Sequence, residues 1–398
     1  TLAPTLAPSL SPPLSPPLVS SLPPLLAVAG DPGGAAALLP VLRQLAAAGY
    51  PLWPLAYRQA LPLWREAGLA AQALPETAGT ALDWPALLAT FAGTVGEAAA
   101  PRLLLTATSV NGLDWESALW SQARAAGVPS LAVLDFWSNL PPRFQHRGQP
   151  AWPTHLAVMD AAVAAELRAL FPGAGPALHV TGQPVFDPLP ALAARAGEVV
   201  PPLRQALGLA AGERLVLFVS QPLAELRRQP GFADWGFDQH QVLAGLLPAL
   251  AARASQHGEK LCLVLRPHPR EADAGLRPYL EQAFPGLRLQ LERQLPGPAL
   301  ALAADLVCGM NSVLLQEAAY LGRPVLSLQP GLSQPDPLPA NRQGLSQLVR
   351  TWADLPAALV AALTPGRPAP AVELLPDGHA TARIAELAQQ VLSGTIHV

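Results

Sequence analysis

Short apolar runs alternate with helical patterns along most of the chain. In the first half the runs are Leu25–Ala29, Pro51–Ala56, Arg102–Thr106, Ser130–Leu134, His155–Met159 and Ala177–Thr181. In the second half they are Arg214–Val219, Leu261–Leu265, Leu287–Leu291, Asp305–Cys308 and Val325–Leu328. Runs this short, rich in Leu and Val, predict strands buried on both faces. Helical patterns fill the intervals, notably from Gly34 to Ala48, Asp114–Ala126, Phe237–Ala254 and Ser312–Leu321. Strands separated by helices predict parallel sheets with crossover helices. Two such series predict two doubly wound, Rossmann-like α/β domains facing a central cleft. The expected division is 25–186 and 187–398, with the crossing near Gly182–Pro188 and a Pro/Gly-containing connection running on through Pro202. Residues 1–24 form a Leu/Ser/Pro/Thr stretch with a repeated TLAP, read as a disordered or extended tail. This stretch lacks the basic region of a signal peptide.

In open α/β sheets, ligands bind beyond the carboxyl ends of the strands. That rule selects Gly30–Gly34, Ser109–Asn111, Asp135–Asn139, Ser220–Gln221, Arg266–Glu271 and Gly309–Ser312. The sharpest segment is Ala304–Leu328, where a strand, a small turn and a helix entry at Asn311–Ser312 follow one another. A helix start offers free N–H groups and partial positive charge, a ready phosphate site. Ser312 fits as a phosphate donor and Glu317, deeper in the helix, as a ribose acceptor; the plainer alternative is an N-cap serine and a solvated glutamate. In the run LRPHPRE, His268 stands between two prolines at a strand end, flanked by Arg266 and Arg270. This trio suits a diphosphate or a nucleoside monophosphate. Ser220 and Gln221 follow a strand of the same domain and are further candidates; a simple polar loop is the alternative.

The first half carries weaker signals. Gly33 and Gly34 let backbone approach a ligand closely, although the turn is not GxGxxG. Asp31 is the first candidate for a general base on an acceptor hydroxyl, with Glu116 and Asp135 behind it; the plainer reading of Asp31 is a helix-start carboxylate. Asp135, Trp137, Asn139 and Arg143 crowd one loop, where an aromatic face beside polar groups suits a sugar. Core packing of Phe136 and Trp137 is the competing explanation.

Composition narrows the chemistry. Hydrophobic residues make up 51% of the 398 and charged residues 13%, against about a quarter charged in ordinary domains. The formal net charge of −3 argues against a nucleic-acid partner. Of 25 basic residues only Lys260 is a lysine, outside any glycine-rich loop. This disfavours Schiff-base catalysis and a Walker-type phosphate loop. Cys262 and Cys308 lie inside apolar runs and read as buried small hydrophobes. No DxD-type pair at a convincing strand end, no HExxH and no histidine cluster is present, so no metal and no cofactor is expected. No apolar run reaches about 18 residues. The expected location is cytoplasmic, with peripheral association at the inner membrane face left open by the high apolar content.

Three features resemble the nucleotide-binding domain of glycosyltransferase-B proteins: RPHP at Arg266–Pro269, NSVLLQEAAYLGRPVLSL at Asn311–Leu328, and VTGQPVFDPL at Val180–Leu189. The linker is similar to that of UDP-N-acetylglucosamine 2-epimerases. His268-Pro269 and Ser312 resemble the HP and Ser motifs of bacterial sialyl- and Kdo-transferases, and CDP-glycerol glycerophosphotransferases show a related pair. The resemblance implies a nucleotide-sugar donor, with His268 and Ser312 on its phosphates and Glu317 on its ribose. It implies transfer to a glycan or lipid-linked acceptor, as in surface polysaccharide synthesis. An epimerase or hydrolase on the same scaffold and a non-catalytic assembly subunit are the alternatives. Two departures weigh against the epimerase pattern: SQPLAELRR after Val219, where epimerases carry an HRREN-like run, and GMNSV at Gly309–Val313, where they carry a DSGG-like turn.

Overall fold

The computed structural model describes residues 22–76, 83–95, 100–229, 232, 234–364 and 375–396. The expected tail therefore lies outside the described residues up to 21. Residues 22–24 belong to the first domain, where the Pro24 carbonyl accepts the Arg102 N–H at 3.0 Å.

The first sheet has seven strands: Leu25–Ala29 (β1), Leu52–Ala56 (β2), Gln72–Ala73 (β3), Leu103–Thr106 (β4), Ser130–Val133 (β5), His155–Val158 (β6) and Ala177–Val180 (β7). Their order is β3-β2-β1-β4-β5-β6-β7, and every pairing is parallel. The second sheet has six: Arg214–Val219 (β8), Leu261–Arg266 (β9), Leu287–Leu291 (β10), Leu306–Gly309 (β11), Val325–Leu328 (β12) and Gln347–Val349 (β13). Its order is β10-β9-β8-β11-β12-β13, again all parallel. Strand order reverses between β1 and β4 and between β8 and β11. Each reversal opens a crevice at the carboxyl edge of its sheet.

Five helices matter for the site: Pro32–Ala47 (α1), Trp115–Ala125 (α2), Gln239–His257 (α3), Val313–Tyr320 (α4) and Ala380–Leu392 (α5). Asp238 starts α3 with a capping box to Gln241, and Gly258 ends it at φ 61°, the expected start and stop chemistry. Cys262 and Cys308 are buried free thiols in β9 and β11.

The division at 187 needs a correction. Helix α5 does not join the second sheet. Ile384, Ala385, Leu387, Ala388 and Val391 pack with Leu38, Leu42 and Leu45 of α1 in the core of the first domain. The order of strands carries no hint of this return, because an amphipathic helix fits either domain.

The linker VTGQPVFDPL holds that return in place. The Asp187 carboxylate accepts the N–H groups of Ala380 and Thr381 at 2.9 and 2.8 Å, at the start of α5. Arg383 donates to the Thr181 carbonyl at 2.8 Å. Gly182 sits at φ +84°, and a Cβ there would lie 3.1 Å from the Ala380 Cβ. Gln183 donates to the carbonyls of Leu134 and Asp135, and Phe186 packs between Trp137 and Tyr320. The segment read as a resemblance is thus the crossing where both domains and the last helix are fastened.

Candidate functional site

A cavity of about 710 Å³ lies between the carboxyl edges of the two sheets. Its first-domain wall is the loop Phe136–Pro142 after β5, with Glu166 from the helix Ala161–Leu170. Its second-domain wall comprises Gln221 after β8, His268 after β9, Asn311–Val313 after β11, and Trp235, Gln334–Pro337 and Arg342.

The second-domain wall turns a helix entry and several hydrogen-bonding side chains towards the cavity. Ser312 caps α4 and its hydroxyl oxygen accepts the Leu314 N–H at 3.3 Å. Ser312 is therefore the N-cap of α4, its hydroxyl proton is still available to a ligand, and Glu317 is not the solvated glutamate of the plainer alternative. The Asn311 N–H donates to Gln221 Oε1 at 3.1 Å, across the β8–β11 crevice. His268 Nδ1 accepts the Arg270 N–H at 3.1 Å. The neutral ring therefore carries its proton on Nε2, where it can donate. Burial, with the charges of Arg270 and Arg293, holds its pKa below the usual 6.5. The His268 loop is braced from behind. The buried Glu271 carboxylate accepts the His268 N–H and the Ser220 hydroxyl, and Arg293 donates to the His268 and Glu271 carbonyls.

Several expected residues fall elsewhere. Ser220 is buried and bonds Glu271, so it positions the histidine loop. Arg266 donates to the Leu295 carbonyl at 2.6 Å and, like the exposed Arg270, does not line the cavity. Glu317 sits behind the α4 entry; burial raises its pKa to about 7 against the opposing pull of Arg266. Trp137 is core, as its alternative had it: it is 4% exposed and its indole N–H donates to Asp160 at 2.7 Å. It nevertheless contributes to the cavity lining, with the exposed Asn139.

None of Asp31, Glu116 and Asp135 lines this cavity. Asp135 forms a largely buried ion pair with Arg143 at 2.5 Å. A Cβ on Gly33 would meet its Oδ2 at 2.6 Å, and one on Gly34 would meet the Ala107 Cβ at 2.4 Å. Both glycines therefore serve close packing of α1 rather than ligand approach. Asp31 accepts the Val110 N–H at 2.7 Å and the Asn111 amide at 2.9 Å. Ser109 Oγ accepts the N–H groups of Gly30 and Asp31 and donates to Glu116 at 2.5 Å, and the Tyr57 hydroxyl donates to Glu116 at 2.6 Å. The β1–β4 crevice is thus closed by its own polar groups, while the corresponding β8–β11 edge faces the cavity.

Burial raises the Glu116 pKa from the usual 4.5 to about 7, although the Ser109 and Tyr57 hydrogen bonds oppose it. Between those values the folded state holds a proton that the unfolded chain has released. Stability is therefore highest below pH 4.5 for this group and falls as pH rises towards 7. At about 1.4 kcal/mol per pH unit, the loss is on the order of 3 kcal/mol. Glu317 adds a fall of the same sign. Glu116→Gln should flatten this dependence in urea titrations at pH 5 and pH 8; an unchanged difference between the two would refute the assignment.

Sequence reasoning missed Glu166, Trp235, Asp336 and Arg342. Asp336 and Arg342 follow β12, and the strand-end rule extended to that strand would have found their loop. Glu166 lies inside a helix with no local signal. Among the described residues no group of three or more metal-ligating side chains occurs, and no helix is long and apolar enough to cross a membrane.

The arrangement of two parallel sheets about a cleft is the glycosyltransferase-B fold. It is similar to UDP-GlcNAc 2-epimerase from Methanocaldococcus jannaschii, at TM-score 0.62 and 14% identity over 92% of this chain and 99% of that one. It is similar also to UDP-GlcNAc 2-epimerase from Neisseria meningitidis bound to UDP-GlcNAc, at TM-score 0.59 and 15% identity over 92% and 100%. Acinetobacter baumannii MurG matches at TM-score 0.54 and 14% identity over 93% and 99%. No protein-family model and no curated protein matches the sequence. Likeness at this identity establishes the fold and leaves the chemistry to the site.

Proposed function

We propose that the chain binds a nucleoside-diphosphate sugar in the interdomain cleft and transfers the sugar to an acceptor hydroxyl. The observation that carries this reading is the convergence of His268, Ser312, Asn311 and Gln221 on the entry of α4, in one cavity with the first-domain wall. The helix entry, the Nε2–H of His268 and the Ser312 hydroxyl would meet the diphosphate and stabilise it as it leaves. Arg342 would add positive charge.

Glu166 replaces Asp31, Glu116 and Asp135 as the base. It is exposed on the first-domain wall, whereas those three carboxylates are engaged in internal bonds. Asp336, the other carboxylate lining the cavity, accepts from Leu338, Gln329 and Asn341. In the step, the acceptor oxygen bonds to the anomeric carbon and its proton passes to Glu166. The bond from that carbon to the phosphate oxygen breaks, and the nucleoside diphosphate departs with the electron pair. The acceptor is a glycan or a lipid-linked alcohol in the broad reading, with surface polysaccharide synthesis the setting it suits.

A second reading, epimerisation or hydrolysis of the nucleotide sugar, draws support from the several epimerases among the similar structures. It predicts turnover without any acceptor. Thermal unfolding with UDP, CMP, CDP, GDP and ADP tests the shared part of both. One nucleotide should raise the melting temperature, and His268→Ala should abolish the shift. No shift with any of the five would sink both readings and leave a non-catalytic assembly role.

A further inference from the structure

A second hollow of about 380 Å³ adjoins the cleft, lined by Pro141, Phe144, Trp152, Leu170 and Phe171 among others. Pro141 forms a wall of both cavities. The helix Ala161–Leu170 also links them, because Glu166 faces the cleft and Leu170 faces the hollow. Residues four apart lie on one helical face, about one turn or 5–6 Å from each other. Leu170 is 39% exposed and shares the hollow's wall with three aromatic residues.

The lining is aromatic and almost without hydrogen-bonding heads. Phe171 meets Phe144 edge-on at 5.6 Å and Trp152 at 5.4 Å. The Arg124 guanidinium stands over the Trp152 ring at 5.8 Å. Gln145 is the polar side chain of the wall. A sugar ring would leave its hydroxyls unpaired here, whereas a flat aromatic group would pack edge-on or offset against the existing rings. The volume suits one small apolar unit, at the lower end of the roughly 300–1,000 Å³ usual for ligand pockets.

We propose that this hollow holds the aromatic body of the acceptor, with the acceptor hydroxyl one helical turn away at Glu166. The assignment rests on the transferase reading and narrows its acceptor to an aryl alcohol or phenol.

Calorimetric titration with 2-naphthol tests it, with farnesol and N-acetylglucosamine in parallel and UDP, CMP, CDP, GDP and ADP titrated separately. The expected result is binding of 2-naphthol that Leu170→Arg weakens at least tenfold while nucleotide affinity stays unchanged. Leu170 is partly exposed, so an arginine there is compatible with folding, and the intact nucleotide affinity confirms it. His268→Ala should leave 2-naphthol binding intact, which separates failure of the hollow from failure of the nucleotide site. The proposal is overturned by farnesol or N-acetylglucosamine binding in preference to 2-naphthol. Binding that Leu170→Arg does not affect, or no binding at all, overturns it equally. A chain that binds 2-naphthol but none of the five nucleotides loses the acceptor role.

Discussion

A chain ending at Asp377 should fail to form a stable first domain. Helix α5 places Ile384, Ala385, Leu387, Ala388 and Val391 in one core with β1, β4 and α1. Burial of an Ile, Leu or Val side chain is worth about 1.5–3 kcal/mol each. The three large side chains together therefore supply roughly 5–9 kcal/mol, comparable with the whole stability of an ordinary domain, about 5–15 kcal/mol. The truncation would also expose Leu38, Leu42 and Leu45 on α1 and strip Asp187 of its two N–H partners. Circular dichroism melts should show the first cooperative transition lost, with aggregation in its place. Ile384→Val is the graded control, with an expected cost of about 0.5–1.5 kcal/mol. A truncated chain that melts like the full one would show that α5 is dispensable and that the division at 187 holds after all.

Glu166→Gln should lower transfer by roughly 10²–10⁴-fold, the usual worth of a positioned general base. The amide keeps the size of the side chain and removes its capacity to take the acceptor proton. Because Glu166 is exposed, the substitution should leave the melting temperature almost unchanged. Nucleotide affinity should also be preserved, since His268 and Ser312 stand on the opposite wall. The diagnostic split is a fall in kcat with an intact nucleotide Kd. Equal losses in Asp31→Asn and Glu166→Gln would instead mean that domain closure brings the β1–β4 edge into the reaction.

The strands were legible because buried parallel strands are apolar on both faces and need no partner to be recognised. β1, β8 and β12 match their apolar runs residue for residue; β10 matches its run too, although it is a half-exposed edge strand with Arg288 and Gln290 in it. The short edge strands β3 and β13 were not legible; two or three residues carry too little periodicity. The α4 entry and the His268 turn were legible for a related reason. Each is a local device, a cap or a stiff Pro-His-Pro turn at a strand end, whose chemistry lies within a few residues.

The carboxylates show where local reading stops. Asp31, Glu116 and Asp135 stand at or near strand ends, as catalytic groups do, yet each has a partner from a distant segment: Val110 and Asn111, Tyr57 and Ser109, Arg143 and Thr108. Those contacts decide between a reactive group and a structural one, and they depend on how α1, β2 and β4 come together. Glu166 is the converse case, a helical glutamate with no local signal that the tertiary structure puts on the cavity wall.

From the sequence alone came the alternation of strands and helices, the existence of two parallel sheets and the helix start at Ser312, all of which rest on short-range patterning. The side of the cleft each carboxylate faces, the return of α5 to the first domain and the aromatic hollow beyond Pro141 came only from the tertiary structure. They depend on burial and on contacts between residues far apart in the chain, and one-dimensional periodicity carries no record of either.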